Sequence, residues 1–140
     1  MKILMPVDGS EHTQKAINFF LDHKQSFGKY GSATLLHVTV PLPKLLGVTL
    51  PRSAVEGHYA NAVKEAMHWA QQRFAQYEVA CAEEVEIGDP AAKIGAVAEH
   101  DQYDLIIMGS RGHGGVPGLA LGSTALKVLG ACKVPVLIVR

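Results

Sequence analysis

A chain of 140 residues, 48% hydrophobic and 19% charged, fits one domain that buries roughly two-thirds of the surface its unfolded form exposes. Thirteen Lys and Arg balance thirteen Asp and Glu, so no overall field exists to hold nucleic acid or an anionic membrane, and any anion site must be local. Pro6 and Asp8 interrupt the opening segment where a signal peptide needs an apolar core, and no later apolar run approaches a membrane span, so a cytoplasmic protein is expected.

Lys2 to Val7 is a short apolar run stopped by Asp8-Gly9-Ser10, which predicts a buried first strand entering a turn. From Glu11 to Phe27, Ala16, Ile17, Phe20 and Leu21 share one helical stripe and Gly28 supplies a stop, which predicts the first helix. Ala33 to Val40 is apolar, rich in β-branched residues and ended by Pro41, as a second strand should be. Tyr59, Ala62, Val63, Ala66, Met67, Ala70 and Phe74 recur at three and four, predicting a long second helix.

Val79 to Ile87 predicts a third strand, more exposed than the others because Glu83, Glu84 and Glu86 interrupt it. Asp89 is placed to cap a third helix that opens at Pro90 and runs to about His100. Tyr103 to Met108 predicts the fourth strand, Thr124 to Cys132 the fourth helix and Val134 to Val139 a fifth strand, with Pro135 placing it at a sheet edge. Apolar strands alternating with amphipathic helices imply a doubly wound parallel α/β sheet covered on both faces. Cys81 and Cys132, with no Cys-x-x-Cys pair, build neither a disulfide framework nor a four-ligand zinc site, and both read as buried reduced thiols. The histidines show no recognised metal-ligand spacing.

The glycine-rich segment from Gly109 to Thr124 joins the fourth strand to the fourth helix. Glycine lets backbone amides approach a ligand with no Cβ in the way, and amides at a helix start favour phosphate. The Walker pattern fails because no Gly-Lys-Ser or Gly-Lys-Thr ends the loop, and the dinucleotide fingerprint fails because Pro117 stands where its third glycine would be. What remains is Gly109, two residues, Gly112, nine residues, then Gly122 and Ser123, following a strand and preceding a helix.

That spacing resembles the nucleotide-binding signature of the universal stress protein family, and Pro6-Val-Asp-Gly-Ser10 and His37-Val38 also look like family positions. The resemblance covers the whole chain. It implies a five-stranded sheet of order 3-2-1-4-5, an adenine nucleotide alpha hydrolase-like fold. Pro6, Val7, Asp8 and Val38 would then lie at the nucleoside, with Met108, Gly109, Gly112, Gly122, Ser123 and Thr124 along the ribose and phosphates. Doubly wound sheets bind ligands beyond the carboxyl ends of strands where the winding reverses, and in this order Asp8 and Gly109 each follow a strand at that reversal.

Each residue also has a structural reading. Asp8 with Glu11 matches a helix-capping pattern, and Ser123 and Thr124 suit an N-cap and first turn. Arg111 could pair with phosphate, or be a solvated charge or subunit contact, and His113 could donate a hydrogen bond to phosphate. The connection from Pro41 to Val55 carries Leu42, Leu45, Leu46, Val48 and Leu50, which suits a lid over the nucleotide or a subunit contact, or simple packing on the second helix. The functional expectation is a stress-response module that binds ATP, or AMP or ADP, with Mg²⁺ or Mn²⁺ held by the phosphates. Its output is a contact with a regulatory protein partner, and it forms a homodimer through the last strand. The alternatives are slow ATP hydrolysis or self-phosphorylation at Ser110, Ser123 or Thr124, or a pocket that holds nothing.

Overall fold

The computed structural model describes residues 1–28, 32–43, 49–114, 118 and 120–140. Along the chain they form β1 (Lys2–Pro6), α1 (Glu11–Asp22), β2 (Ser32–Thr39), α2 (Arg52–Gln76), β3 (Cys81–Ile87), α3 (Pro90–His100), β4 (Leu105–Gly109), α4 (Ser123–Ala131) and β5 (Val136–Val139). All strands pair in parallel in the order β3-β2-β1-β4-β5, so the expected order is found and the winding reverses between β1 and β4.

Alternation along the strands divides the core into two layers. Ile3, Met5, Val7 and Leu35 meet α1 and α2 through Ile17, Phe20, Met67 and Phe74. Leu4, Leu36, Ile106 and Met108 meet α3 and α4 through Ile94, Ala98, Ala125 and Val128. Both faces of β1 and β4 are thereby dry, which is why those strands read as unbroken apolar runs. β3, at one edge, is the exposed strand foreseen from its glutamates, with Val85 and Ile87 also turned to solvent.

Several boundaries differ from the sequence reading for local reasons. α1 ends at Asp22 and the chain tightens into a 3₁₀ turn at Lys24–Phe27 before Gly28, so the helix is shorter than its apolar stripe suggested. α2 starts at Arg52 and takes in part of the segment assigned to the connection. Of its predicted stripe, Ala66, Met67, Ala70 and Phe74 are buried, whereas Tyr59, Ala62 and Val63 are only partly covered because the first half of the helix stands off the sheet's dry core. Cys81 and Cys132 are free thiols but half-buried, since one opens an edge strand and the other follows the exposed end of α4. Among the described residues no helix is long and apolar enough to cross a membrane.

Candidate functional site

β1 runs out at Pro6, and the turn that follows fixes Asp8. Its Oδ1 accepts hydrogen bonds from the Ser10 amide (2.9 Å) and the Thr13 hydroxyl (2.6 Å). The helix cap is therefore not Asp8 but Ser10, whose side chain accepts from the Thr13 amide at 3.3 Å. Burial pushes the Asp8 carboxyl up, but hydrogen bonds from Ser10 and Thr13, with His113 nearby, outweigh it and hold the group below its ordinary 3.8. An ionised carboxylate with one oxygen anchored results, its Oδ2 turned toward the glycine loop.

The loop lies directly on that oxygen. A Cβ on Gly112 would stand 2.6 Å from Asp8 Oδ2, so any side chain there must push the carboxylate out of its place. Gly109 is constrained more severely, because its Cβ would meet the His12 backbone at 2.6 Å where α1 crosses the end of β4. Gly122 caps α4 with no side-chain hydrogen bond, and its own amide donates to the Ser110 carbonyl at 2.7 Å, closing the base of the loop. Among the described residues the first-turn amides of α4 thus have no side-chain partner at the cap, an arrangement that suits an anion at the positive end of the helix.

These parts surround a cleft of about 420 Å³ at the carboxyl ends of β1 and β4. All twelve residues singled out from the sequence line it: Pro6, Val7, Asp8, Val38, Met108, Gly109, Arg111, Gly112, His113, Gly122, Ser123 and Thr124. Sequence reasoning missed the apolar wall formed by Leu36, Val40, Pro90 and Ile94. Leu36 and Val40 sit two residues either side of Val38, so strand alternation was a usable signal. Pro90 and Ile94 form one turn of α3, and nothing local announces that this helix start faces the cleft. The wall gives the site an apolar slot beside a polar cradle, the division of labour expected for a flat ring joined to a charged tail.

The remaining candidates separate by position. His113 reaches across the mouth and donates from Nε2 to the Asp8 carbonyl at 2.6 Å, so its described contact is with the opposite wall. Ser110 is 2% exposed, its Oγ lies 3.3 Å from His12 Nδ1, and it is not among the residues lining the cleft. Ser123 is exposed as the first residue of α4 and Thr124 is half-buried behind it. The Leu42 amide donates to Tyr59 Oη at 3.3 Å, fastening the start of the long connection to α2, while its residues 44–48, with Leu45, Leu46 and Val48, lie outside the described residues. Among the described residues no three His, Cys, Asp or Glu side chains converge on a metal position.

The family model described as "Universal stress protein family" matches residues 1–140. The chain is 32% identical to "Universal stress protein in QAH/OAS sulfhydrylase 3'region" of Thermus aquaticus, over 99% of this chain and 97% of that protein. It is 29% identical to "Universal stress protein YxiE" of Bacillus subtilis, over 99% and 98%. Against the longer "Universal stress protein Rv2005c" of Mycobacterium tuberculosis it spans 45% of that protein at 29% identity. Among solved structures, "Universal stress protein UspA from Lactobacillus plantarum" superposes with a TM-score of 0.80 at 22% identity, covering 100% of this chain and 97% of that one. A universal stress protein from Archaeoglobus fulgidus "in complex with dAMP" superposes at 0.71 with 17% identity, covering 100% and 98%. An Arabidopsis thaliana family protein "with AMP Bound" does so at 0.66 with 16% identity, covering 99% and 90%.

Proposed function

The chain belongs to the universal stress protein family, and from that premise we propose that its cleft binds an adenosine phosphate, with ATP as the working ligand. The observation that carries this reading is the meeting, in one cleft, of an anchored Asp8 carboxylate and the α4 N-terminus, which has no side-chain cap. Asp8 Oδ2 accepts from ribose hydroxyls, and the amides of Gly112, Ser123 and Thr124 hold the phosphates. Leu36, Val38, Val40, Pro90 and Ile94 form the slot for the base. The AMP and dAMP complexes of two structural neighbours support the ligand class. A divalent ion, Mg²⁺ or Mn²⁺, enters with the phosphates and takes at most a hydroxyl of Ser123 or Thr124.

In this reading the protein is a cytoplasmic regulatory module of one domain whose state reports adenine nucleotide to a protein partner. A homodimer through β5 is part of the proposal, supported by that strand's edge position and by exposed Leu126 and Leu129 on α4 nearby. Denaturing freshly purified protein and identifying the released small molecule by mass spectrometry tests the ligand. Calorimetric titration with AMP, ADP and ATP, each with and without Mg²⁺, ranks the candidates. Adenosine phosphate recovered from the protein, and saturation tightest for ATP with Mg²⁺, are expected. No saturation by any of them at about 1 mM overturns the reading.

A further inference from the structure

β3 ends the sheet, so only one side of its backbone has a strand to pair with. The Gly88 amide donates to the Thr39 carbonyl at 3.0 Å, just past the Thr39–Ile87 pair of the β2–β3 register. In a parallel ladder that bond turns the backbone of Glu84 and Glu86 toward β2. Alternation then turns the N–H and C=O groups of Glu83, Val85 and Ile87 off the sheet. Among the described residues no backbone pairs with those outward groups.

The side chains of this edge alternate with the same period. Glu83 accepts from Gln71 of α2 at 2.9 Å, which marks the α2 face of the strand. Val85 and Ile87 follow on that face and are 46% and 49% exposed, so two aliphatic side chains stand open beside the outward backbone. On the other face Glu86 meets Lys93 of α3 at 2.7 Å. Lys93 offsets one carboxylate of three, since Gln71 is neutral. Burial, followed by the charges of Asp101 and Glu86, pushes the Glu84 carboxyl above its ordinary 4.5, and Lys2 counters only part of this. The edge therefore carries uncompensated negative charge next to unused hydrogen-bonding groups. Two copies of β3 laid together would bring glutamates against glutamates, which disfavours self-pairing and favours a strand of opposite charge.

We propose that β3 is a docking edge for an extended segment of a partner protein in which Lys or Arg alternates with aliphatic residues. The segment adds to the five-stranded sheet as one more strand. Its aliphatic side chains lie beside Val85 and Ile87, its cations lie on the opposite face beside Glu84 and Glu86, and its backbone pairs with the outward groups. No residue of β3 lines the cleft described above, so the proposal stands apart from what that cleft holds.

Fluorescence anisotropy of the full chain with the labelled peptide Lys-Val-Lys-Ile-Lys-Val-Lys, at about 50 mM salt, tests the proposal. Saturation below about 100 μM is expected. A peptide of the same composition with its lysines grouped at the two ends should bind about tenfold more weakly or worse, because it has the charge without the alternation. Glu84→Lys should weaken the alternating peptide about tenfold. Val85→Pro removes one outward N–H and leaves the β2 ladder intact, and a comparable loss is expected. Hydrogen exchange of the wild type, read by NMR, reports the strand addition itself: the peptide slows the amides of Val85 and Ile87 and leaves those of Glu84 and Glu86 as they were. The proposal is overturned by absence of saturation up to about 1 mM, by equal binding of the regrouped peptide, or by binding that leaves exchange at Val85 and Ile87 unchanged.

Discussion

The two ends of the sheet use their polar groups in opposite ways. At the amino end the chain bonds to itself. Lys2 Nζ donates to the Asp101 carbonyl and lies over the Tyr103 ring, while the Lys2 amide is held by Asp104. Arg73 donates to Asn18 and stacks on Tyr77, whose hydroxyl donates to Asp22, tying α1 to α2. At the carboxyl end the equivalent space is kept open by glycines and by a helix without a side-chain cap. The contrast separates residues that hold the fold from residues held ready by it, and that separation is open to experiment.

The sharpest test falls where the two roles meet. Gly109 ends β4 against the backbone of His12, and backbone cannot turn aside as a flexible side chain can. Gly109→Ala is expected to cost about 2–3 kcal/mol of stability through overpacking, read as a lowered urea midpoint, with ligand binding lost as a consequence. Gly112→Ala should behave differently, because its new methyl meets only the Asp8 carboxylate, 2.6 Å away, in an exposed loop. Its stability stays within about 0.5 kcal/mol of wild type while ATP affinity in calorimetry falls about tenfold or more. If the two glycine variants lose stability equally, the carboxyl end is structural and the contrast fails.

Asp8→Asn probes the same end through charge. Removing a charge-assisted acceptor is expected to weaken ATP about tenfold. It also carries a pH signature. The folded carboxyl sits below its ordinary 3.8, so its contribution to stability is present above that value and is lost as pH falls through the lowered one. Urea midpoints of the wild type should therefore drop more steeply on acidification below about pH 4 than those of Asp8→Asn. At the amino end, Asn18→Ala removes the acceptor for Arg73 and should cost about 1 kcal/mol with ATP affinity unchanged.

How far the sequence reveals this depends on whether the cause is local. Strand identity and the Asp89 cap of α3 are written in neighbouring residues, and each is found as read. The Ser10 cap is not legible because Asp8 and Ser10 both precede α1, and only the geometry shows that Asp8 is occupied holding Thr13. Pro90 and Ile94 were missed because a helix start faces the cleft only once strand order is fixed.

The smallest expected effect concerns Cys81, the first residue of β3 and so a member of the amino end. Burial pushes its thiol above the ordinary 9.0, and the charge of Glu83 adds to the shift, so little thiolate forms near neutral pH. Alkylation of Cys81 by iodoacetamide, followed by peptide mass spectrometry, should be slow at neutral pH and accelerate as the solution becomes alkaline. Adding ATP should leave that rate unchanged, since the residue sits at the opposite end of the sheet from the cleft. A rate that responds to ATP would mean that ligand binding reaches along the whole length of the strands, and the two ends would then be one cooperative unit rather than a frame and a site.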